Sequence, residues 1–473
     1  MTTVDRREFL RKSAYTAGAA VAASSLGGLI ACNDAVLIGP DGQPQLARAK
    51  RGTGGYGPVA ADPGGLPFFI PTGFTLREIS RSGTPMKRAG QGNVPNALDG
   101  MAAFPMSNGN VRLIRNHEMR DSAAQTVPLG TKPWDAKAGG GCTSLEVAIN
   151  SVTGEPTLLD EFVSISGTQV NCAGGQTPWG SWLTCEETTE SASPTGRLKN
   201  HGYVFEVPAG AMSEVDPVSL NAMGRFSHEA VVVDRNYGHV YQTEDAGSTT
   251  SGFYRFIPNV LGDMTKGGKL QMLALEGRPG FDTGAGGIPV GVPLAAFWVD
   301  IDNPDPVPIT STTSCFAQGL AKGGTRFARL EGAWWGDNSA YFDSTSGGTA
   351  RVGQIWQYRP TSADAGQLVL IFESPGASVL DAPDNICVSP RGGIVLCEDG
   401  GGTQFIRGLT REGMIFDFVR AADPVDATEF AGACYSPDGR TLFFNTQGST
   451  RRLGTERGST FAIWGPWEAG ALC

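Results

Sequence analysis

The sequence predicts an all-β fold, most simply a β-propeller, and three observations carry that expectation. Glycine is abundant, with 66 Gly and 30 Pro in 473 residues. That is about twice the usual glycine share and has no collagen-like period, which suits short strands joined by tight turns. Strand-length apolar runs rich in β-branched and aromatic residues recur along the chain. Examples are Val111-Arg112-Leu113-Ile114, Ala230-Val231-Val232-Val233, Gln354-Ile355-Trp356-Gln357-Tyr358, Gly393-Ile394-Val395-Leu396-Cys397 and Thr441-Leu442-Phe443-Phe444. Finally, Ile386 to Leu396 and Ala433 to Phe443 repeat one pattern, in which a strand enters a Ser-Pro-x-Gly turn and a second strand leaves it. Cys387 and Cys434 mark the two copies 47 positions apart, close to the length of one propeller blade. A sandwich or a β-solenoid is the alternative, but either accounts less readily for the acidic strand ends described below.

The chain opens with Asp5-Arg6-Arg7-Glu8-Phe9-Leu10, then Arg11-Lys12 and a weakly apolar stretch from Ala14 to Ile30. This is the pattern of a twin-arginine export signal, although Asp stands where Ser or Thr is commoner. The stretch is too short and too weakly apolar for a good membrane span. Leu29-Ile30-Ala31-Cys32 has the form of a lipobox, so lipid attachment at Cys32 and simple cleavage nearby both stand as readings. Residues 1–32 are therefore assigned to the signal, 33–64 to a Gly/Pro/Ala-rich linker or poorly ordered lead-in, and 65–473 to the propeller domain. The expected destination is the periplasm or the cell surface, with a membrane tether if Cys32 is lipidated. The export machinery is the expected protein partner, and the folded domain is expected to be a monomer. Within that domain Pro293-Leu294-Ala295-Ala296-Phe297-Trp298 fits a short helix or a strand equally well.

A formal net charge of −10 gives no electrostatic basis for binding nucleic acid or an anionic membrane surface. No Gly-x-Ser-x-Gly elbow, P-loop or His-Glu-x-x-His helix is present, which argues against serine-nucleophile and zincin chemistry. The nine cysteines are irregularly spaced without a Cys-x-x-Cys, so a zinc ribbon is not indicated. Cys387, Cys397 and Cys434 lie in apolar runs and are read as buried small hydrophobes.

Chemistry enters at short acidic motifs, each beside an apolar run: Asn116-His117-Glu118, Cys185-Glu186-Glu187, His228-Glu229, Glu244-Asp245, Glu331, Asp384-Asn385, Glu398-Asp399 and Glu429. One such acid is ordinarily just solvated. In a propeller, however, recurrent strand-end acids from distant positions converge on a central channel. Converging carboxylates repel one another and call for cations; oxygen-only sets favour calcium or magnesium, and a thiol among them favours a transition metal such as iron. His117 and His228 each precede a Glu and would point to the opposite strand face, so they are read as buried, hydrogen-bonded residues rather than ligands.

With these motifs the sequence resembles the PhoX alkaline phosphatase family. The matching stretches run in order from Ala97-Leu98-Asp99-Gly100-Met101 and Arg115-Asn116-His117-Glu118 through Pro178-Trp179-Gly180-Ser181-Trp182-Leu183-Thr184-Cys185-Glu186-Glu187 and Gly224 to Ala230. They continue with Thr243-Glu244-Asp245, Phe253-Tyr254-Arg255-Phe256, Arg329-Leu330-Glu331-Gly332, Pro383-Asp384-Asn385-Ile386, Cys397-Glu398-Asp399-Gly400 and Glu429 to Ala433. The resemblance implies a six-bladed propeller with a mixed iron and calcium centre in its central channel, cleaving phosphate monoesters. It implies Cys185 as a thiolate ligand to iron and Glu229 and Glu331 as carboxylate ligands. Glu118, Glu186, Glu244, Asp384 and Glu398 are implied as further ligands. Arg329, two residues before Glu331 on what would be one strand face, is expected to grip the phosphate oxygens during metal-assisted hydrolysis. Cations would also reconcile the chain's negative charge with an anionic substrate. One departure is Asn445-Thr446-Gln447-Gly448-Ser449-Thr450, where a Gln-x-Pro-Gly-like turn is expected in the family; it bears on loops that shape substrate access. The competing readings are a calcium-dependent propeller lactonase or phosphodiesterase, for which Cys185 is incidental, and a non-catalytic envelope binding propeller.

Overall fold

Strands that are apolar on both faces need a partner on each side, and the chain meets this need by stacking sheets around an axis. The structure is a computed structural model that describes residues 55–410, 413–422, 429–470 and 472, with the backbone pairing of Leu37–Ile38 and Pro44–Gln45. The twin-arginine segment, Cys32 and most of the expected lead-in lie outside the described residues. Among the described residues there are six antiparallel meanders, whose first strands are Leu98–Pro105, Asn171–Gln176, His228–Val233, Leu330–Gly336, Pro383–Val388 and Phe430–Tyr435. Each first strand lies beside the first strand of the next meander, and the sixth lies beside the first, so these six close a ring. The all-β, propeller-like architecture expected from the sequence is what the structure shows.

The third and fourth meanders join into one nine-stranded sheet through Leu294–Asp300, which pairs with Gly268–Leu275 on one side and Gly366–Glu373 on the other. The ambiguous segment at Pro293 is thus a strand. The chain's N-terminal part completes the last two meanders: Phe68–Pro71 pairs with Ile415–Ala421, and Thr75–Arg81 pairs with Ser459–Trp464. The assigned lead-in also contributes, since Val59–Ala61 pairs with Phe68–Pro71 and Tyr56 packs edge-on against Phe74 and Trp467. The packed domain therefore begins before residue 65.

The apolar core is layered between neighbouring meanders. Six main clusters fill the six gaps; for example, Ala102, Phe104 and Ile165 meet Trp182 and Phe205 between the first and second meanders. Met101, Leu113 and Val147 meet Phe443 and Ala462 between the first and sixth. Burial on both faces is the reason the strands read as uninterrupted apolar runs and not as alternating ones. Cys387, Cys397 and Cys434 belong to these layers, and the seven described cysteines are all free.

The seam between the sixth and first meanders also carries a buried polar knot. Arg115 donates to Ser80 Oγ (3.0 Å), Thr460 Oγ1 (2.7 Å), Thr143 Oγ1 (3.0 Å) and Glu161 Oε1 (3.0 Å), and Ser80 donates to the same Glu161 oxygen at 2.6 Å. Removing one partner strands a buried charge, which costs about 3–5 kcal/mol, whereas replacing both by apolar groups is often near neutral. Glu161→Gln should therefore lower unfolding stability by about that amount in urea titrations, and Arg115→Met with Glu161→Leu should recover most of it. Equal losses in the single and double variants would show that the knot does not act as a pair.

Candidate active site

The first strands share a defect at one end. Their ladder registers break between Leu98 and Met101, Asn171 and Gly174, His228 and Val231, Leu330 and Ala333, Pro383 and Asn385, and Ala431 and Cys434. A bulge of this kind re-aims the side chain it leaves unpaired. The residues so placed are Asp99, Cys172, Glu229, Glu331 and Asp384, with Gly432 in the sixth meander. Ala97, Val170, Arg329 and Ala382, each immediately before its strand, adopt left-handed φ values of 54°, 51°, 49° and 50°. Such backbone is costly for residues with a Cβ and persists where the surroundings impose it. Small residues follow the acids because adjacent first strands nearly touch: a Cβ on Gly100 would lie 2.5 Å from Ala173 Cα, and one on Gly332 would lie 2.9 Å from the Asp384 carbonyl oxygen.

At three of these bulges a neighbouring meander grips the carbonyl from the side. Asn116 Nδ2 donates to the Cys172 carbonyl at 2.8 Å, Thr243 Oγ1 to that of Glu331 at 2.6 Å, and Asn445 Nδ2 to that of Asp99 at 2.6 Å. The second strands end at the same rim with His117, Glu186, Glu244, Ser344, Glu398 and Thr446. Alternation then sends each last strand residue one way and the next residue the other. Glu118, Glu187, Asp245 and Asp399 thereby join Asp99, Cys172, Glu229, Glu331, Asp384 and Glu429 in one mutually repelling set.

Ligating atoms of Glu118, Cys172 and Glu187 lie within 4.8 Å of one another, as do those of Asp99, Glu118 and Glu429. Burial raises the pKa of these carboxyls, and their neighbours' negative charge adds to the effect. Asp99 is pushed up to about 6 and Glu187 to about 7, with Glu118, Glu229, Glu331, Asp384 and Glu429 raised further from their ordinary range. Among the described residues, both Glu229 carboxylate oxygens and Asp384 Oδ2 are buried without a hydrogen-bond partner. Two arginines stand at the rim: Arg120 pairs with Glu118 and Glu187, and Arg329 pairs with Asp245 (2.9 Å) and Glu331 (2.6 Å). Their side chains remain 41% and 42% exposed, so both reach solvent from an otherwise buried well. Burial works against each guanidinium's charge, but the carboxylates outweigh it and raise both pKa values.

A donor set of clustered carboxylates with one thiol, including carboxylate oxygens that no described residue satisfies, fits multivalent cations. At the other end of the ring, Trp334 of the fourth meander packs against layers between the fifth and sixth, sixth and first, and first and second meanders, which puts its ring across the axis. Beyond it a cavity of 1220 Å³ opens among Trp179, Trp335, Arg235 and Tyr435, with none of the clustered acids in its lining. The well is thus open on one side and plugged on the other.

The structure brings together Glu118, Glu229, Glu331, Asp384 and Arg329 of the residues singled out from sequence, and it places four others elsewhere. Cys185 is buried in the apolar layer between the second and third meanders with Leu183, Val231 and Tyr254; the thiol beside the acids is Cys172. Glu186 accepts from Gln169, Gly202 and Tyr203 backbone N–H groups and from His201 Nδ1. Glu244 accepts from Gly252 N and Tyr254 OH, and Glu398 from Asp381 N and Arg407 Nε. These three acids brace loops behind the rim, while the acids that follow them, Glu187, Asp245 and Asp399, face the well. Arg329 precedes its strand in a left-handed conformation, so it reaches Glu331 by bending back and not by sharing a strand face. His117 and His228 are buried and bonded to the carbonyls of Asn96 and Gly224, as their strand positions suggested.

Comparison with known proteins decides the family. A profile described as Alkaline phosphatase PhoX matches residues 54–449, most of the chain. The chain belongs to the PhoX alkaline phosphatase family. The structure of Pseudomonas fluorescens PhoX in complex with vanadate, a transition state analogue, aligns at a TM-score of 0.65 and 18% identity over 90% of this chain and 99% of that one, which shows the same fold. Two further solved structures align with lower scores. An inactive virginiamycin B lyase from Staphylococcus aureus, with quinupristin, gives 0.35 at 14% identity over 83% and 99% of the two chains. A gluconolactonase from Xanthomonas campestris gives 0.37 at 12% identity over 82% and 98%. No curated protein matches the sequence. PhoX proteins are metal-dependent, and the acidic well is where this member has the groups to bind metal.

Without cations the folded well holds protons that the unfolded chain would release near pH ~4. Folded pKa values of about 6 for Asp99 and about 7 for Glu187 exceed the unfolded ones, so stability is greatest below that lower limit and falls as pH rises through the folded values. Chelated protein should therefore show a falling melting temperature between about pH 4 and pH 7. Added divalent cation should raise it most at the alkaline end. A melting temperature of chelated protein that is flat across this window would show that the carboxyls are not coupled to folding.

Proposed function

We propose that the acidic well is the catalytic centre of this PhoX phosphatase and that it holds iron and calcium together. The enzyme is a phosphoric monoester hydrolase: water adds to phosphorus, the ester P–O bond breaks, and inorganic phosphate and an alcohol leave. The observation that carries the metal assignment is the convergence of Glu118, Cys172 and Glu187 within 4.8 Å, beside Glu229 oxygens that no described residue satisfies. Cys172 offers the soft ligand that suits iron, and the surrounding carboxylates of Asp99, Glu118, Glu187, Glu229, Glu331 and Asp384 offer the hard oxygens that suit calcium. When bound, such cations supply charge neutralisation and Lewis-acid polarisation of phosphoryl oxygens.

The chain's own groups do the rest. Asp245 and Glu331 hold the Arg329 guanidinium at the lip of the well, leaving N–H donors for phosphate oxygens as negative charge develops on them. Trp334 closes the axis behind the site, so ester, water and products exchange through the open side alone. The six meanders serve as the six blades of the propeller, each presenting its bulge to the channel.

Export through the twin-arginine route to the periplasm or cell surface, as a monomer with a tether if Cys32 is lipidated, is part of the same reading. It is supported by the N-terminal residues themselves. No described helix is long and apolar enough to cross a membrane.

Elemental analysis of purified protein, paired with a phosphomonoester assay before and after chelation, tests the centre directly. Iron with calcium is expected, together with loss of activity on chelation; metal-free protein that is folded and inactive would overturn the assignment. Cys172→Ala should lose iron and about a hundredfold or more in kcat/KM. Cys185→Ala should keep both and lose only about 1 kcal/mol of stability. The reverse pattern would restore Cys185 as the ligand. Replacing Arg6 and Arg7 together with lysine should leave folded, active phosphatase in the cytoplasmic fraction; unchanged export would show that another route carries the chain.

A further inference from the structure

The loop between Thr441–Thr446 and Ser459–Trp464, residues 447–458, forms one wall of the well. Gln447 begins it inside the site, donating to Asp99 (3.0 Å), Glu118 (2.7 Å) and Glu429 (2.5 Å). From there the loop turns outward and docks on the segment that carries Arg120. The Arg120 N–H donates to the Thr450 carbonyl at 2.8 Å, the Arg452 N–H donates to Asp121 Oδ2 at 2.8 Å, and Arg451 Nη1 donates to the Arg120 carbonyl. The Ser449 N–H to Glu456 carbonyl bond, at 3.3 Å, closes the loop on itself. Asn96 Nδ2 reaches the Arg451 and Gly454 carbonyls, each at 3.5 Å.

These contacts hold a basic ledge beside the acidic well. Arg451, Arg452 and Arg457 are exposed, with Glu456 as the one acid among residues 447–458, and Asp121 beneath them is buried. Among the described residues the Arg452 guanidinium has no partner, and Arg451 spends one N–H group on a carbonyl. In a chain of net charge −10, unspent guanidinium groups gathered at the site's mouth are out of keeping with the rest of the charge. Arginine forks are well matched to carboxylate and phosphate oxygens, and exposed ones also steer anions toward a cleft. Neither guanidinium touches the acids of the well; the Arg451 side chain meets the Arg120 carbonyl, and the backbone bonds from Arg120 to Thr450 and from Arg452 to Asp121 hold the loop without either guanidinium.

We propose that this loop reads the organic part of the ester: Arg451 and Arg452 take a second anionic group, so that monoesters bearing a carboxylate or a further phosphate are preferred over neutral ones. The inference rests on the phosphatase reading, with Arg329 and the well engaging the scissile phosphate and the ledge engaging what is attached to it.

Phosphoglycerate and glycerol phosphate test it, because they differ in a carboxylate against a hydroxymethyl group. Wild-type enzyme should favour phosphoglycerate in kcat/KM, and added salt should erode that preference. Arg451→Gln with Arg452→Gln should lose about tenfold on phosphoglycerate, mostly in KM, and stay within about twofold on glycerol phosphate with unchanged metal content. The Arg451→Lys with Arg452→Lys variant should retain part of the preference. The same substrate ratio in wild type and in the glutamine variant would overturn this inference and leave the phosphatase reading intact. Failure of wild type to hydrolyse either ester would overturn the phosphatase reading, and this inference with it.

Discussion

Like-charge repulsion inside a buried ring is the constraint to which the rest of the molecule answers. Asp99, Glu118, Glu187, Glu229, Asp245, Glu331, Asp384, Asp399 and Glu429 surround one thiol, and burial among like charges raises the pKa of Asp99, Glu118, Glu187, Glu229, Glu331, Asp384, Asp399 and Glu429. No single loop could impose such a cluster, since each acid would swing toward water. Here most of them are pinned by a bulge or strand end whose sheet is buried on both faces. The six apolar layers contribute the favourable free energy that offsets the electrostatic cost.

The same constraint explains where backbone strain collects. Of the seven described non-glycine residues in left-handed conformations, four stand just before a first strand. The side-chain donors Asn116, Thr243 and Asn445 then clamp the bulge carbonyls of adjoining meanders. Preorganisation of this kind lets a site bind cations and a phosphoryl group without first rearranging. The acids that look away from the well, Glu186, Glu244 and Glu398, are part of that support. They tie the loop that carries His201 and the strands that carry Tyr254 and Arg407 to the rim, and so hold the neighbouring acids in place.

Much of this was legible in the sequence, and the misreadings share one physical origin. The strands could be seen because burial on both faces makes their apolar runs continuous, and Glu118, Glu229, Glu331 and Asp384 could be seen because they interrupt such runs. The choice between paired acids could not. A shift of one residue at a strand end reverses the side chain's direction, and the bulges that set this register leave no mark in composition. Hence Glu186 was singled out in place of Glu187, Glu244 in place of Asp245, and Glu398 in place of Asp399. Cys172 escaped notice because Asn171-Cys172-Ala173-Gly174-Gly175 has no apolar run beside it, whereas Cys185 sits in an obvious strand and faces a hydrophobic layer. Arg120 was missed because its partners, Glu118 and Glu187, lie 2 and 67 positions away and meet only in three dimensions.

The pairing of Thr75–Arg81 with Ser459–Trp464 sets an order of events. The outer strand of the sixth meander is made long before its partner, so a growing chain carries an open arc whose gap cannot yet be sealed. Until Ser459–Trp464 emerges, Gln447 and Glu429 have no fixed place and the acids of the first meander have no neighbours on one side. The well therefore comes into being as a single event, when that later strand docks. Selection of its cations belongs to the compartment in which that strand docks.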